Sequence, residues 1–379
     1  MESFSSLTAY LDRITKEFDP GSDTVIRVGH REVYRYRPGY ADVESKTPIK
    51  GDELYLMWSV SKVVTCAAFM TLVEKGVVRL DDPVAKYIPA FAEARCPDSP
   101  PVGDGMTVFN LATMTSGLTY DTDYPELLEL KRRIGAPCPT VETAALIARQ
   151  PLAFEPGTAW RYGLSHDVLA AVCEVAAGER FADYAKRVIF DPLGMKDSTY
   201  RPVAEKDKCR IATQYRWDEE KGGLVRTHNS CALVFGPEYD SGGAGLVCSV
   251  DDLAVFADAL ACGGTAENGV SIMKPETVDM WRENRIGTMI LKYFDYLAGY
   301  GYGLGVRTMT FPEKVDGYAV RGEFGWDGAA GSVVIIDPKN RVSLVSARHL
   351  LESPGHTLES LRQYMYEGLV EEGIVSFSN

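Results

Sequence analysis

The chain has 379 residues, 45% of them hydrophobic and 25% charged, with 35 Gly and 20 Pro, proportions that exclude a disordered, collagen-like or coiled-coil protein. At ~150 residues per domain this length suggests two domains or one elaborated one, with enough chain for a core that needs neither disulfides nor a structural metal. Forty Lys+Arg against 53 Asp+Glu leave a net charge of −13, which repels phosphate backbones and anionic lipid, so neither a nucleic-acid nor a membrane partner is expected.

Met1-Glu2-Ser3-Phe4 has neither a positive start nor an apolar run, so no signal peptide is expected. Apolar residues at Leu7, Leu11, Ile14 and Phe18 predict a helix over 4–18, stopped by Asp19-Pro20-Gly21. Strands are expected over 24–28 and 33–36, with Gly29-His30 turning between them. Helical patterns then dominate, at 60–75, 141–149, 166–177, 180–190 and 251–261. The longest apolar stretch, 63–73, is shorter than the ~20 residues a bilayer requires. Strand character returns over 302–309, 318–322, 332–336 and 342–347, with a turn at Asp337-Pro338-Lys339-Asn340 and a helix over 357–368.

Strands at both ends and helices between them predict an α+β fold. An antiparallel sheet built from both chain termini (1–75 and 296–379) would be flanked by helices and carry a large, mainly helical inserted domain (76–295). The eight cysteines stand singly, with no CxxC pair and no His at ligand spacing. They read as reduced thiols in a cytoplasmic protein rather than as a disulfide or metal framework.

The chain has no GxSxG elbow, no GxxxxGK[ST] phosphate loop and no HExxH. The cluster Gly299-Tyr300-Gly301-Tyr302-Gly303-Leu304-Gly305 lacks the third glycine of GxGxxG and sits where a strand is expected, so no cofactor is expected. None of the five His lies in a Ser-His-Asp context, so a nucleophile here needs another base. Ser59-Val60-Ser61-Lys62 offers one. A serine at the first turn of a helix lies near unpaired N–H groups, and a lysine three residues on shares its face, Cβ atoms ~5–6 Å apart. Burial and the helix dipole both disfavour the ammonium, which lowers the lysine pKa toward that of a base. The spacing is also common: Ser271-Ile272-Met273-Lys274 matches it with no apolar helix behind, and Ser59 reads equally as an N-cap beside a solvated lysine.

Further segments follow in order: Thr107-Val108-Phe109-Asn110-Leu111, Thr115-Ser116-Gly117-Leu118, Phe154-Glu155-Pro156-Gly157, Trp160-Arg161-Tyr162, Asp191-Pro192-Leu193-Gly194-Met195, Ser241-Gly242-Gly243-Ala244-Gly245-Leu246, Tyr302-Gly303-Leu304-Gly305 and Gly325-Trp326-Asp327-Gly328. With Ser59 and Lys62 they resemble the penicillin-recognising serine hydrolases of the class C β-lactamase type over nearly the whole chain. The resemblance implies a site between sheet and insertion, with Ser59 as the acylated nucleophile, Lys62 as its activator and Tyr162 as a proton shuttle. A phenol beside an ammonium is expected to have its pKa shifted down. Tyr162 could equally be one of many packing tyrosines.

Two motifs depart from the β-lactamases and DD-peptidases. Their Tyr-x-Asn is here Tyr162-Gly163-Leu164, which removes an amide that Ser165 or His166 would replace only in part, Ser165 reading better as a helix N-cap. Their Lys-Thr-Gly or His-x-Gly is Trp326-Asp327-Gly328, an indole in place of a cation beside an acid that would repel a carboxylate. Both departures resemble the family VIII carboxylesterases and related acyltransferases. That resemblance implies substrate contacts from Leu164, Trp326, Asp327 and Gly328, and oxyanion-hole amides from Ser59 and Ala329; Trp326 also reads as a core aromatic. The expected activity is hydrolysis of small acyl esters through an acyl-enzyme. A β-lactam or D-amino-acid amide substrate, acyl transfer, or a non-catalytic ligand sensor are the alternatives; oligomeric state stays open.

Overall fold

A computed structural model describes residues 3–132, 137–294 and 297–377. The predicted domain junction at 295/296 and the start of the N-terminal stretch, Met1-Glu2, lie outside the described residues.

The main sheet takes its strands from both ends of the chain. They are β1 (Ser22–Val28), β2 (Arg31–Tyr36), β3 (Tyr300–Tyr302), β4 (Arg307–Met309), β5 (Phe324–Asp327), β6 (Val333–Asp337) and β7 (Val342–Arg348). Their order is β2-β1-β7-β6-β5-β4-β3, and every pairing is antiparallel. The seam between the two ends is β1 on β7, where the Thr24 and Ser346 hydroxyls meet at 2.8 Å. This is the α+β sheet expected from the sequence.

Helices cover both faces. Tyr34 and Arg35 are neighbours on β2 and therefore point to opposite sides. Tyr34 bonds Thr8 of α1 (Ser5–Glu17) at 3.0 Å, while Arg35 reaches Asp251 of α4 (Val250–Ala261) at 2.6 Å. The C-terminal helix α5 (Leu358–Glu371) lies with α1, Ser6 donating to Glu367 at 2.7 Å. With both faces covered, β6 and β7 are buried at every residue, hence their unbroken apolar runs. Helix α2 (Ser61–Glu74) is buried from Ser61 to Leu72, as a helix apolar all round must be, and packs on α3 (Ser165–Ala177) and β5.

Two predicted strands change. Residues 302–309 form a hairpin rather than one strand, with Tyr302 opposite Arg307 and Gly303 N–H closing on Val306 O at 2.8 Å; the turn needs Gly305 at φ +101°. Residues 318–322 form a loop. The Tyr318 N–H and C=O are taken by Gln363 and Arg362 of α5 instead of a strand, so the strand begins only at Phe324. The helix expected over 180–190 runs only from Phe181 to Ala185 before opening into a wider turn, Lys186–Phe190. Among the described residues no helix is long and apolar enough to cross a membrane. All eight cysteines are free thiols, with Cys209 exposed and Cys66, Cys138, Cys173, Cys231 and Cys248 buried.

Candidate active site

Ser59 lies in a single 3-10 turn, Trp58–Val60, that leads into α2. The turn is pinned from outside: Met57 N–H donates to Leu246 O at 3.0 Å, and Leu246 N–H donates to Ser61 Oγ at 2.9 Å. The next element to approach is the end of β5. A Cβ at Gly328 would lie 2.5 Å from Met57 O, so only glycine lets that strand come beside the serine turn. Ser59, Tyr162, Phe294, Trp326, Asp327, Gly328 and Ala329 line one cavity of about 310 Å³.

Lys62 is fully buried. Its Nζ lies 3.0 Å from Ser59 Oγ, 2.9 Å from Tyr120 Oη and 2.7 Å from Gly243 O, and 4.6 Å from the centre of the Tyr162 ring. Burial pulls its pKa down to about 8, opposed by the negative charge of buried Asp167. A neutral amine has two hydrogens and one lone pair. Donating to Gly243 O and Tyr120 Oη leaves that lone pair for the Ser59 hydroxyl proton.

Tyr162 lines the same cavity as the serine, and the Ser59 hydroxyl is among the groups that favour its phenolate. Its hydroxyl oxygen accepts from Trp326 Nε1–H at 2.9 Å, which leaves the phenolic proton to be donated elsewhere. The expected downward pKa shift is not found: desolvation outweighs every other influence and pushes Tyr162 well above the ordinary phenol value, so it stays a neutral phenol. Replacing Trp326 by phenylalanine is expected to lower kcat about tenfold, ~1.4 kcal/mol or the net worth of one hydrogen bond, with KM little changed. Steady-state kinetics on an aryl ester check this.

Trp326 sits over a second cation. Arg307, 1% exposed, has its guanidinium 5.7 Å from the indole and bonds Asp327 at 2.5 Å. The sequence suggested that Asp327 would repel a carboxylate; the Arg307 charge behind it compensates that acid.

The remaining sequence candidates divide. Ala329 is exposed on the β5–β6 turn and lines the cavity. Leu164 is fully buried and does not line the cavity. Ser165 is not an N-cap; it is the first residue of α3, and its hydroxyl meets that of Ser116 at 2.8 Å. His166 is fully buried beside Cys66, its pKa driven down to about 3 by desolvation, so neither residue stands in for the missing amide. The decoy Ser271 donates to Met273 O while Lys274 caps the helix Pro275–Arg282.

Sequence reasoning missed Tyr120 and Arg307. Tyr120 lies two residues beyond the quoted Thr115–Leu118 segment, and its ring packs edge-on against Tyr162 at 5.3 Å; its position gave the only hint. As to metals, His30, Asp258 and Cys262 bring ligand atoms within 4.8 Å of one another. Asp258 is already engaged there by His30 Nδ1 at 2.8 Å and has Arg27 Nε at 3.9 Å.

Comparison with known proteins gives the family. The Beta-lactamase family model matches residues 12–354. Protein Rv1367c of Mycobacterium tuberculosis is 30% identical over 318 residues, 79% of this chain and 78% of its own length. Esterase EstB of Burkholderia gladioli is 29% identical over 362 residues, 87% and 86% of the two chains. Among solved structures, EstCE1, described as a hydrolase with promiscuous acyltransferase activity, superposes with a TM-score of 0.81 at 25% identity, covering 95% of this chain and 97% of its own. With a fold, a buried lysine against a cleft serine and a family match that agree along most of its length, the chain belongs to the Beta-lactamase family and is a serine hydrolase.

Proposed function

We propose that this serine hydrolase is a carboxylesterase acting on small acyl esters through an acyl-enzyme on Ser59. The observation that carries the reading is Lys62 Nζ at 3.0 Å from Ser59 Oγ, in a setting that holds its pKa at about 8. The neutral amine takes the hydroxyl proton as Oγ bonds to the ester carbonyl carbon. The amides of Ser59 and Ala329 stabilise the resulting oxyanion, a contribution of about 3–4 kcal/mol per donor. The ester C–O bond then breaks, and the alcohol leaves with a proton relayed through Tyr162 and Lys62. Water repeats the sequence on the acyl-enzyme and releases the acid.

An ester is favoured over a β-lactam by what surrounds the serine. Leu164 stands where an amide would be required, and Trp326 uses its one polar atom on Tyr162. The description of EstB as an esterase supports the same choice. Trp326 and Gly328 form the wall beside the scissile bond, with Asp327 at its rim. Sheet unit (1–75 and 296–379) and helical insertion (76–295) remain the proposed domains, with α3 and α4 both packing from the second onto the first. Eight free thiols support a reducing, cytoplasmic setting.

Intact-mass spectrometry after brief exposure to p-nitrophenyl acetate, p-nitrophenyl butyrate and nitrocefin tests the reading. Butyryl or acetyl adducts on Ser59 and fast ester turnover are expected. Nitrocefin turned over faster than either ester would overturn the ester assignment.

A further inference from the structure

Trp58, immediately before the serine, has φ +48°. A bulky side chain rarely enters this region, and one stays there only where its surroundings hold it. The hold is visible: the indole Nε1–H donates to Gln214 Oε1 at 2.8 Å. Gln214 is 3% exposed, and the other end of its carboxamide is equally engaged. Its Nε2 lies 3.1 Å from His228 O, 3.3 Å from Thr227 Oγ1 and 3.3 Å from Ser230 O. Its backbone is fixed to the same segment, Gln214 N–H donating to Asn229 Oδ1 and Thr227 N–H to Gln214 O, each at 2.8 Å.

One side chain therefore joins the serine turn to residues 227–230. The next residue, Cys231, is buried. Beyond it the segment becomes the wall of a separate, largely apolar chamber of about 880 Å³, lined in part by Leu56, Ile211, Val234 and Phe235. The clamp needs an acceptor for the indole and a donor for the carbonyls at once. A carboxamide supplies both, a carboxylate only the first, and leucine neither.

We propose that Gln214 is a positioning residue for hydrolysis: it holds Trp58 in the left-handed turn that aims Ser59 Oγ at Lys62, and it ties that aim to the segment walling the chamber. This rests on the reading of Ser59 as nucleophile. Gln214 itself touches neither Ser59 nor Lys62 and acts through Trp58.

The test is a double-mutant cycle on the intact chain: Gln214→Leu, Trp58→Phe and the two combined. Acylation is followed as the stopped-flow burst from p-nitrophenyl butyrate, alongside KM, the pH profile and the thermal midpoint. Each single substitution is expected to slow acylation about 10- to 100-fold, with KM within about twofold of the parent and the pH midpoint unmoved. The double variant is expected to be no slower than the worse single, because both changes delete one contact. Unchanged acylation in a folded Gln214→Leu protein, a loss of thermal midpoint alone, or multiplying effects in the double variant would each overturn the proposal. Should Gln214→Leu not fold, Trp58→Phe decides by itself, since its half-buried ring is expected to slow acylation to the same degree. A parent protein that gives no burst with any ester would sink the nucleophile reading, an outcome distinct from a parent that acylates and variants that match it.

Discussion

Ser59→Ala is expected to abolish the burst and the acyl adduct and to lower kcat/KM on the order of 10⁴-fold or more, the scale seen when a nucleophile is deleted from a cooperating group. The expectation follows from where Ser59 stands among the described groups that bond Lys62. Lys62 Nζ has Ser59 Oγ, Tyr120 Oη and Gly243 O around it, and of these only the serine opens into the cavity beside Ala329. Ser59 is partly exposed and outside the core, so the variant should keep the parent circular dichroism spectrum and thermal midpoint. Butyrylation of Ser59→Ala at the parental rate would place the nucleophile elsewhere.

The second large effect belongs to the amine. Lys62→Met keeps the length and apolar bulk of the side chain and removes the base, so a fall in kcat/KM of about 10³-fold is expected, within the range for general-base catalysis. Methionine also spares the fold from burying a charge, so the loss should appear in rate and not in unfolding. The pH profile of the parent gives the complementary measurement. Lys62 is active when neutral and its pKa lies at about 8, so log kcat/KM should rise with unit slope below pH 8 and level off above it. The neutral fraction drops tenfold for each pH unit of acidification. A flat profile between pH 6 and pH 9 would remove Lys62 from the role of base.

Much of this was legible in the sequence because the relevant signals are local. Apolar runs bounded by turns marked β6 and β7, and the 3.6-residue pattern marked α2, α3 and α4 to within a residue or two. Ser59 and Lys62 are one helical turn apart, so their meeting needs no tertiary knowledge. The misreadings arise where partners are distant. Nothing near Tyr318 announces that Gln363 and Arg362 take its backbone groups. The pKa of Tyr162 was misjudged because an ammonium at fixed spacing is easy to infer while the dryness of its surroundings is not. Tyr120 and Gln214 come from loops and Arg307 from inside the sheet, and their approach to the serine turn or its neighbours is set by packing, so composition alone carried no trace of them.

The Thr24–Ser346 seam joins positions 322 apart in the chain, and the wall facing Ser59 arrives at residues 326–329. A growing polypeptide leaving the ribosome therefore carries Ser59 long before it has synthesised the strand that lines the cavity beside it. Pairings this distant form late, after the ends have found one another. The half-made chain therefore lacks one wall of the cavity around Ser59 until the last strands dock.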